Sequence, residues 1–432
     1  MKRVLIITYY WPPAGGAGVQ RWLKFVKYLP QYGWTPVVYT PSNPESPVDD
    51  PSLLKDIPAE AVIVKQPIWE PYSAYKKFIG QKPEQKINTG FLSENKKPKL
   101  SEKMSVWVRG NFFIPDARMF WIRPSIKYLT EYLKENPVDA IVSTGPPHSM
   151  HLIALGVKKA LGIPWLADFR DPWTNIDFYQ DLMLTGWADR RHRRLEKAVV
   201  DNCDHQIVVG EGMKEEFVAI GAENISVITN GYDDADIPSV DAELDRKFSI
   251  AHIGTIPRSR NPEVLWRVLA SLTEERPELK SDLEIKLVGK LDVSVIDSLE
   301  KLGLMPYLNR IDYMPHDEVV KVQRVAQVLL LAVNNTPNAK GILTGKFFEY
   351  LSARRPILAI GPEDGEVARI LEATGAGCIS GFDNEDALKQ NILRFYDAFR
   401  EGKLDVSPEG VERFSRRNLT GDITRILDKI IQ

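Results

Sequence analysis

The sequence predicts an α/β protein built from two doubly wound domains. Two segments, beginning near residues 4 and 249, each consist of a short apolar strand, a glycine-bearing loop and an amphipathic helix. Further apolar strands alternate with helices after both openings, as in parallel sheets covered by helices on both faces. The length of 432 residues also suits two such domains. Because ligands of these folds bind at the carboxyl ends of the strands, we expect a cleft between two facing domains.

The composition excludes several classes of protein. Apolar residues make up 44% and charged residues 26%, which is typical of a globular chain rather than a disordered one. The formal net charge of −2 gives no overall positive field for nucleic acid. Two cysteines far apart in the chain exclude a disulfide scaffold and a Cys-rich zinc site. No apolar run is long enough for a signal sequence or a membrane span, so we expect a cytoplasmic enzyme.

The first domain is predicted to cover residues 1–235. Its first strand, residues 4–7, is followed by a loop with several glycines, and apolar residues between 19 and 29 then recur at helical spacing. The same alternation continues along this part of the chain, with strands predicted at 36–40, 140–143, 164–168 and 206–209. Helices are predicted at 148–161 and 191–200. Residues 82–112 interrupt the pattern with many Lys, Asn, Ser and Pro residues, which predicts a long surface insertion.

The second domain is predicted to cover residues 236–415, after a linker rich in Asn, Gly, Pro and Asp. Its strands are predicted at 249–254, 284–288, 328–332 and 356–360. A C-terminal segment, residues 416–432, contains a helix with apolar residues at helical spacing. This helix would either close the second domain or cross back onto the first.

Two loops between a strand and a helix carry residues suited to phosphate binding. Gly16 lies in the first loop, where glycine lets backbone amides approach an anion at the helix N-terminus, although a tight structural turn explains it equally well. The dinucleotide-binding pattern G-x-G-x-x-G is absent. Arg258 and Arg260 occupy the equivalent loop of the second domain, and guanidinium groups can make charge-assisted hydrogen bonds to a diphosphate. Both arginines could also be structural or solvated.

The segment 340–351 is the most informative part of the sequence. It follows a buried strand and starts a helix on which Lys346 and Glu349 are three residues apart. The carboxylate of Glu349 can accept two hydrogen bonds from a cis-diol such as ribose. The alternative is an ordinary Lys–Glu pair on the surface.

This segment resembles the donor-binding helix of retaining GT-B-fold glycosyltransferases of the sucrose synthase and mannosyltransferase type (group 1, family 4). In that family two Glu residues are separated by seven others, and residues 349–358, EYLSARRPIL, match the second half of the motif. The resemblance implies that Glu349 holds the nucleotide ribose. It also implies that the backbone of Gly341, Ile342 and Leu343 meets the sugar and the phosphates. Gly341 stands where the family has its first Glu.

Further matches extend the resemblance over nearly the whole chain. Residues 144–148 are similar to the loop whose histidine approaches the donor sugar, which implies a transition-state contact for His148. The motif that contains Asp168, Arg170 and Asp171 follows a predicted strand. It resembles the motif that lines the acceptor side in this family. A structural ion cluster at the end of the strand explains these three residues as well.

The phosphate-binding loop departs from the family in one place. Arg260 matches the family's phosphate-binding Lys, but Thr255 replaces the Arg that normally follows the glycine. Arg258 would then take the place of the Arg that is missing at position 255. The resemblance implies two Rossmann-like domains in the GT-B arrangement, with Arg260, Lys346 and nearby amides stabilising the departing diphosphate.

The implied function is transfer of a sugar, with retention, from a nucleotide-diphosphate donor to a glycan or lipid-linked acceptor, in the assembly of surface polysaccharide or a glycoconjugate. We expect no cofactor and no metal, because the acids Asp233 and Asp234 lack the spacing of metal ligands. A nucleotide-sugar epimerase on the same fold and a non-catalytic nucleotide-sugar-binding subunit are the alternatives.

A basic run at residues 190–194 bears on where the protein acts. It contains four arginines and a histidine on a predicted helix, and most such runs are solvated faces. Together with the lysines of 82–112 and the aromatic residues Trp107, Phe112 and Phe113, it could rest on an anionic membrane. We therefore expect peripheral contact with the inner membrane surface, which would suit a lipid-linked acceptor.

Overall fold

The computed structural model describes residues 1–45, 49–70, 100–237, 243–312, 314 and 316–432. The chain divides into two compact units. The first comprises Met1–Thr229 together with Arg416–Gln432, and the second comprises Asn230–Ser415. The division therefore falls a few residues before the predicted boundary at 235, and the C-terminal segment is part of the first unit.

The described part of the first unit contains a parallel sheet of seven strands in the order β3-β2-β1-β4-β5-β6-β7. These strands are β1 (Lys2–Ile7), β2 (Trp34–Pro41), β3 (Val62–Gln66), β4 (Ala140–Gly145), β5 (Trp165–Phe169), β6 (His205–Val208) and β7 (Ile225–Val227). β1 pairs with β2 on one side and with β4 on the other. The chain order reverses between β1 and β4, which is where doubly wound sheets bind ligands.

Helices cover both faces of this sheet. They are α1 (Ala17–Tyr28), α2 (Leu100–Phe112), α3 (Met119–Glu135), α4 (Ser149–Leu161), α5 (Gly186–Asn202) and α6 (Glu211–Ala219). Leu5 and Ile7 of β1 pack into the core on one face, whereas Val4 and Ile6 pack into the core on the other. This burial on both faces explains why the strands are continuous apolar runs in the sequence.

The predicted insertion at 82–112 needs one correction. Residues 82–99, which contain all but one of the lysines of the predicted insertion, lie outside the described residues. The remaining residues of the insertion form α2 rather than a surface loop. The helix is stabilised by packing that the composition does not reveal. A Cβ added at Gly110 would lie 2.8 Å from the Leu184 side chain, so α2 sits close against the segment before α5.

The described part of the second unit contains a six-stranded parallel sheet in the order β10-β9-β8-β11-β12-β13. Its strands are β8 (Phe248–Ile253), β9 (Leu283–Val288), β10 (Leu308–Ile311), β11 (Val328–Ala332), β12 (Ile357–Ile360) and β13 (Gly377–Ser380). Its helices are α7 (Glu263–Glu275), α8 (Pro277–Asp282), α9 (Val293–Lys301), α10 (His316–Val325), α11 (Gly345–Ala353), α12 (Glu366–Thr374) and α13 (Glu385–Arg400). The order of this sheet reverses between β8 and β11.

The last helix, α14 (Arg416–Ile430), packs against α1 in the first unit. Its buried Leu419, Ile423 and Leu427 join the core cluster that contains Trp22 and Phe25. Within the described residues, no helix combines the length and the apolar character that crossing a membrane requires.

Candidate functional site

The loops after β8 and β11 meet at the carboxyl edge of the second sheet, at its reversal point. The first contains Gly254 and a 3₁₀ turn, Arg258–Arg260, and the second leads to α11. Arg260 Nε donates a hydrogen bond of 2.6 Å to Asn334 Oδ1, which ties the two loops together. Gly254 has φ +116, and a Cβ there would lie 2.6 Å from Lys346 Nζ. A side chain at 254 would thus displace this lysine.

A neutral histidine holds Lys346 in place. Lys346 Nζ lies 3.2 Å from His252 Nε2, and His252 Nδ1 lies 3.0 Å from the carbonyl oxygen of Leu330. Because a carbonyl only accepts, Nδ1 carries the proton and Nε2 accepts from the ammonium. Burial, then the charge of Lys346, lowers the pKa of His252 to about 3. The imidazole is therefore uncharged and leaves the lysine charge uncompensated.

Arg260 and Lys346 form a concentrated positive site. Burial, then repulsion from Arg260, lowers the pKa of Lys346 to about 8, and burial also lowers the pKa of Arg260. Among the residues that the structure describes, neither cation has a carboxylate oxygen within 4.0 Å. Two neighbouring, partly desolvated cations that no carboxylate contacts directly are suited to bind a polyanion.

The N-terminus of α11 adds backbone donors to this site. Thr344 is the N-cap, but its hydroxyl makes no capping hydrogen bond, and Oγ1 is buried without a partner among the described residues. The first amides of the helix are thus left for an anion. The preceding residues are Gly341, which is exposed, Ile342, which is half-buried, and Leu343, which is buried. A Cβ at Gly341 would meet no atom within 4 Å.

Glu349 lies one turn further along α11 and is half-buried. Its Oε2 accepts a hydrogen bond of 3.3 Å from Nε2 of Gln323, a buried residue of α10. Glu349 forms no ion pair with Lys346 in the described part of the chain, so the alternative of a surface Lys–Glu pair does not hold. The carboxylate keeps acceptor capacity for a ligand hydroxyl.

Arg258 is not brought into this cluster. It lies exposed on the 3₁₀ turn and faces Asp292. Hydrogen bonds from Ser294, then the charge of Arg258, hold the pKa of the Asp292 carboxyl below its usual value. The structure therefore gives Arg258 no shared contact with Arg260 or Lys346.

In the first unit, His148 follows β4 at the start of α4. Its ring stacks on Trp173, with centroids 4.4 Å apart and planes 2° apart, and its Nδ1 is buried without a partner among the described residues. Burial, then the charges of His151, His192 and Arg170, lowers the pKa of His148 well below 6.5. The ring is therefore neutral and fixed, and suited to hydrogen bonding rather than to proton storage.

Asp168 has a different position from the one expected of an acceptor-side residue. It is fully buried, and Oδ1 accepts hydrogen bonds from Arg21 at 2.9 Å and 3.1 Å. Its Oδ2 accepts from Trp22 Nε1 at 2.6 Å and from Thr144 Oγ1 at 2.7 Å. Although burial opposes it, the Arg21 charge holds the pKa of Asp168 below its usual value. Both oxygens are thus committed to protein donors, and we correct the expected acceptor contact to a structural one.

Arg170 and Gly16 shape the edge of the first sheet. Arg170 Nη1 donates to the carbonyl oxygen of Gly18 at 2.7 Å, and Nη2 donates to that of Pro146, so the guanidinium ties the first turn of α1 to the loop after β4. Asp171 is exposed beside it. Gly16 begins α1 with φ +93, a conformation that L side chains rarely adopt, and faces open space.

Sequence reasoning missed three residues that organise these sites. Arg21 lies opposite the apolar stripe of α1 in the sequence pattern, so its burial and its pairing with Asp168 gave no signal. His252 gave no signal, since its partners lie far away in the chain. Trp173 belongs to the motif at 168–173, but the sequence did not indicate that it stacks on His148.

Residues 83–236 match the family model described as Glycosyltransferase Family 4. The match covers less than half of the chain, and over these residues it agrees with the family predicted from the motifs. No curated protein matches the sequence.

Solved structures agree with the fold of this glycosyltransferase family. Sucrose-phosphate synthase from Thermosynechococcus elongatus is 13% identical over 100% of this chain and 99% of its own, with a TM-score of 0.59. HepE from Anabaena in complex with UDP and glucose is 12% identical over 99% and 100%, with a TM-score of 0.60. A Listeria monocytogenes protein assigned as a UDP-N-acetylglucosamine 2-epimerase is 12% identical over 99% and 96%, with a TM-score of 0.55. At such identities the likeness shows the fold, and the predicted GT-B fold class is confirmed.

Proposed function

We propose that this protein is a glycosyltransferase whose second unit binds a nucleoside-diphosphate sugar. The observation that carries the proposal is the pair of cations without ion-pair partners, Arg260 and Lys346, beside the uncapped N-terminus of α11. A diphosphate supplies the charge that this group of donors lacks. Glu349 lies on the same helix, where its carboxylate can accept hydrogen bonds from a ribose diol.

The chemistry of this site is stabilisation of a leaving group. When the bond between the sugar and the diphosphate breaks, negative charge grows on the phosphate oxygens. The terminal nitrogens of Arg260, the ammonium of Lys346 and the amides of Gly341, Ile342 and Leu343 would take up that charge. Because two cations and a helix terminus offset a diphosphate, the proposal includes no metal ion and no cofactor.

The first unit would supply the rest of the reaction. His148 is the candidate contact to the donor sugar, since its ring is fixed by Trp173 and one of its nitrogens lacks a partner in the described part of the molecule. We propose retention of the anomeric configuration and a glycan or lipid-linked acceptor, in the assembly of surface polysaccharide or a glycoconjugate. Product analysis by NMR tests the configuration, because α and β anomers differ in their proton coupling.

A nucleotide screen by calorimetry and thermal shift tests the donor site. One nucleoside diphosphate should stabilise the wild type, by about 2.7 kcal/mol at 100 times its dissociation constant. Arg260→Ala and Glu349→Ala should abolish the effect. The matched controls are Arg267→Ala and Glu372→Ala, which alter exposed residues on α7 and α12 and should leave binding unchanged. Binding of no nucleotide, or equal losses in the controls, would contradict the proposal.

The epimerase alternative rests on the similar fold of the Listeria monocytogenes protein described above. It predicts that a nucleotide sugar is converted without any second substrate, whereas a transferase needs an acceptor for appreciable turnover. Incubation of each bound nucleotide sugar alone, followed by chromatography of the sugar products, separates the two. A non-catalytic subunit would bind the donor tightly but would show no turnover, whichever acceptor is supplied.

A further inference from the structure

A series of buried polar side chains leads from the core of the first unit to His148. Trp165 Nε1 of β5 donates a hydrogen bond of 2.8 Å to Ser143 Oγ of β4, and Ser143 Oγ lies 2.8 Å from His151 Nδ1 of α4. These three residues are fully buried. Together with His148 we call them the histidine relay. Because buried polar groups in folded proteins are hydrogen-bonded, the direction of each bond in the relay follows from the chemistry of its donors and acceptors.

The first two bonds of the relay determine which nitrogen of His151 carries the proton. An indole N–H only donates, so Ser143 Oγ accepts from Trp165. The hydroxyl hydrogen of Ser143 then goes to His151 Nδ1, the other hydrogen-bond partner of Oγ among the described residues. Burial lowers the pKa of His151 to about 3, so the ring carries a single proton at neutral pH. Since Nδ1 accepts, that proton is on Nε2.

The protonated nitrogen of His151 lies beside His148. A Cβ built on Gly145, the last residue of β4, would lie 2.5 Å from His151 Nε2 and 3.2 Å from His148 Nδ1. Both nitrogens are closed to solvent, and neither has a partner in the described part of the chain. They therefore flank the same point, and the absence of a side chain at Gly145 leaves the space between them open. There the N–H of His151 can donate to His148 Nδ1, directly or through one water molecule.

The plane of the His148 ring is fixed from its other side. The ring stacks on Trp173, and Trp173 Nε1 in turn donates a hydrogen bond of 3.1 Å to Nδ1 of the buried His192, which holds the indole. His148 is 9% exposed, and Nδ1, unlike Nε2, is shut off from solvent. A ligand can therefore reach Nε2, whereas Nδ1 is available only to the relay.

We infer that His151 is a positioning residue that sets the tautomer of His148, so that Nε2 of His148 presents an N–H to the ligand. A donor at Nδ1 favours the tautomer in which Nδ1 accepts and Nε2 is protonated. His148 then donates to an oxygen of the ligand, such as a sugar hydroxyl, and does not act as a base toward it. An ammonium group at the same place could not accept this bond. The inference rests on the proposed function for the identity of the ligand, a nucleotide sugar, but not for the tautomer itself.

NMR spectroscopy of the full-length protein, labelled with ¹⁵N in histidine, tests the tautomers directly. The chain has six histidines, so spectra of single-residue variants assign the signals of His148 and His151. Long-range ¹H–¹⁵N spectra distinguish a protonated ring nitrogen from an unprotonated one. At neutral pH we expect, in both rings, a proton on Nε2 and none on Nδ1. A proton on Nδ1 of either ring would overturn the inference, and this result would not depend on sugar transfer.

Variants of the relay test whether His151 sets the tautomer of His148. In His151→Leu the donor is removed, and the spectrum of His148 should show a mixture of tautomers. The kcat for sugar transfer should fall on the order of tenfold, because the hydrogen bond from His148 to the sugar is weakened. Nucleotide affinity should stay unchanged, since Arg260 and Lys346 are unaltered. His151→Gln keeps an amide N–H and should restore both the single tautomer and most of the kcat.

A matched control separates this role from a general loss of stability. His205 is another buried histidine of the first unit, with Nε2 2.9 Å from Ser226 Oγ, and it lies at the amino end of β6. His205→Leu should leave the His148 spectrum and the kcat as in the wild type.

Ser143→Ala removes one oxygen and leaves both rings of the relay in place, so it keeps the test decisive if His151→Leu does not fold. It should also give mixed tautomers of His151 and His148. The inference is overturned if the relay variants leave the His148 spectrum unchanged, or if His205→Leu changes it equally. A protein that shows the expected tautomers but binds no nucleotide would support the relay and refute the proposed function instead.

Discussion

The choice of partner for Lys346 determines how much charge the second unit can offer a ligand. A carboxylate at the position of His252 would hold the ammonium equally well but would cancel its charge. The imidazole holds it through a lone pair on Nε2, because Nδ1 donates to the Leu330 carbonyl. The lysine is therefore oriented without being neutralised, which is what binding of an anion requires.

Replacement of His252 tests this role. His252→Leu removes the acceptor, and we expect the dissociation constant for the nucleotide to rise about tenfold to a hundredfold, since hydrogen bonds to charged groups contribute about 1.5–3 kcal/mol. His252→Gln, which offers an amide oxygen, should restore much of the affinity. In a Lys346→Met background the His252 substitutions should have no further effect, as a double-mutant cycle by calorimetry would reveal.

The titration of Lys346 predicts how nucleotide binding depends on pH. Its pKa is about 8 because of burial and Arg260, so the ammonium is charged below that pH and loses its proton above it. Because a diphosphate binds the charged form, affinity should be constant at lower pH and fall as the pH rises through about 8. Calorimetric titrations on both sides of this value measure the fall. Lys346→Arg should bind with little change over the same range, and a wild type with the same flat profile would refute the assignment.

At the scale of elements, the buried ion pair between α1 and β5 is a structural joint. Arg21 also donates to the carbonyl oxygens of Ile228 and Thr229, each at 2.8 Å, so the pair anchors the end of the first unit's main segment. A charge buried this completely is tolerated only when all of its hydrogen bonds are made. The ion pair with Arg21 therefore accounts for the burial of Asp168, and no contact with a substrate is needed to explain it.

Substitution of Asp168 should affect stability before it affects substrate binding. Asp168→Asn leaves the Arg21 charge uncompensated, and we expect a loss of about 3–5 kcal/mol in the free energy of unfolding, measured with urea. Asp171→Asn alters an exposed neighbour and should change it by less than about 0.5 kcal/mol. If Asp168→Asn instead raised the KM for the acceptor at unchanged stability, the residue would contact substrate after all.

The elements best predicted from the sequence were those with purely local signals. β11 was predicted at 328–332 and spans Val328–Ala332, because a strand buried on both faces is an uninterrupted apolar run. α2 was missed because a lysine-rich stretch precedes it and its packing partners lie some 70 residues later. At the candidate site, motif and charge predicted Arg260, Lys346 and Glu349. The partners that orient them, Asn334, His252 and Gln323, depend on contacts between separate elements that no local pattern encodes.

At the scale of the molecule, the second unit is inserted into the first. The chain leaves the first unit at Thr229 and returns at Arg416, after which α14 packs onto α1. Tyr32 of the first unit donates its hydroxyl hydrogen to the carbonyl oxygen of Arg417 at 2.9 Å. Trp34 Nε1 donates to Asp428 at 3.2 Å. The last helix is thus an integral part of the first unit's core.

This arrangement predicts which unit a change in α14 weakens. Ile423 is fully buried, and Ile423→Ala should lower the stability of the first unit by about 2–5 kcal/mol while leaving nucleotide binding by the second unchanged. Arg425→Ala, on the exposed side of the same helix, should be nearly neutral. Hydrogen exchange read by mass spectrometry distinguishes the units. Faster exchange confined to residues 230–415 would contradict the assignment of α14 to the first unit.

The late position of α14 also sets an order of events on the ribosome. Translation completes the entire second unit before it produces the helix that covers α1. During that interval the face of α1 that bears Phe25 and Tyr28 lacks the cover that Arg416 and Arg417 later provide. Nascent chains that stop before residue 416 expose this apolar face permanently. They are therefore natural clients for chaperones and proteases, even though most of the first unit has already been synthesised.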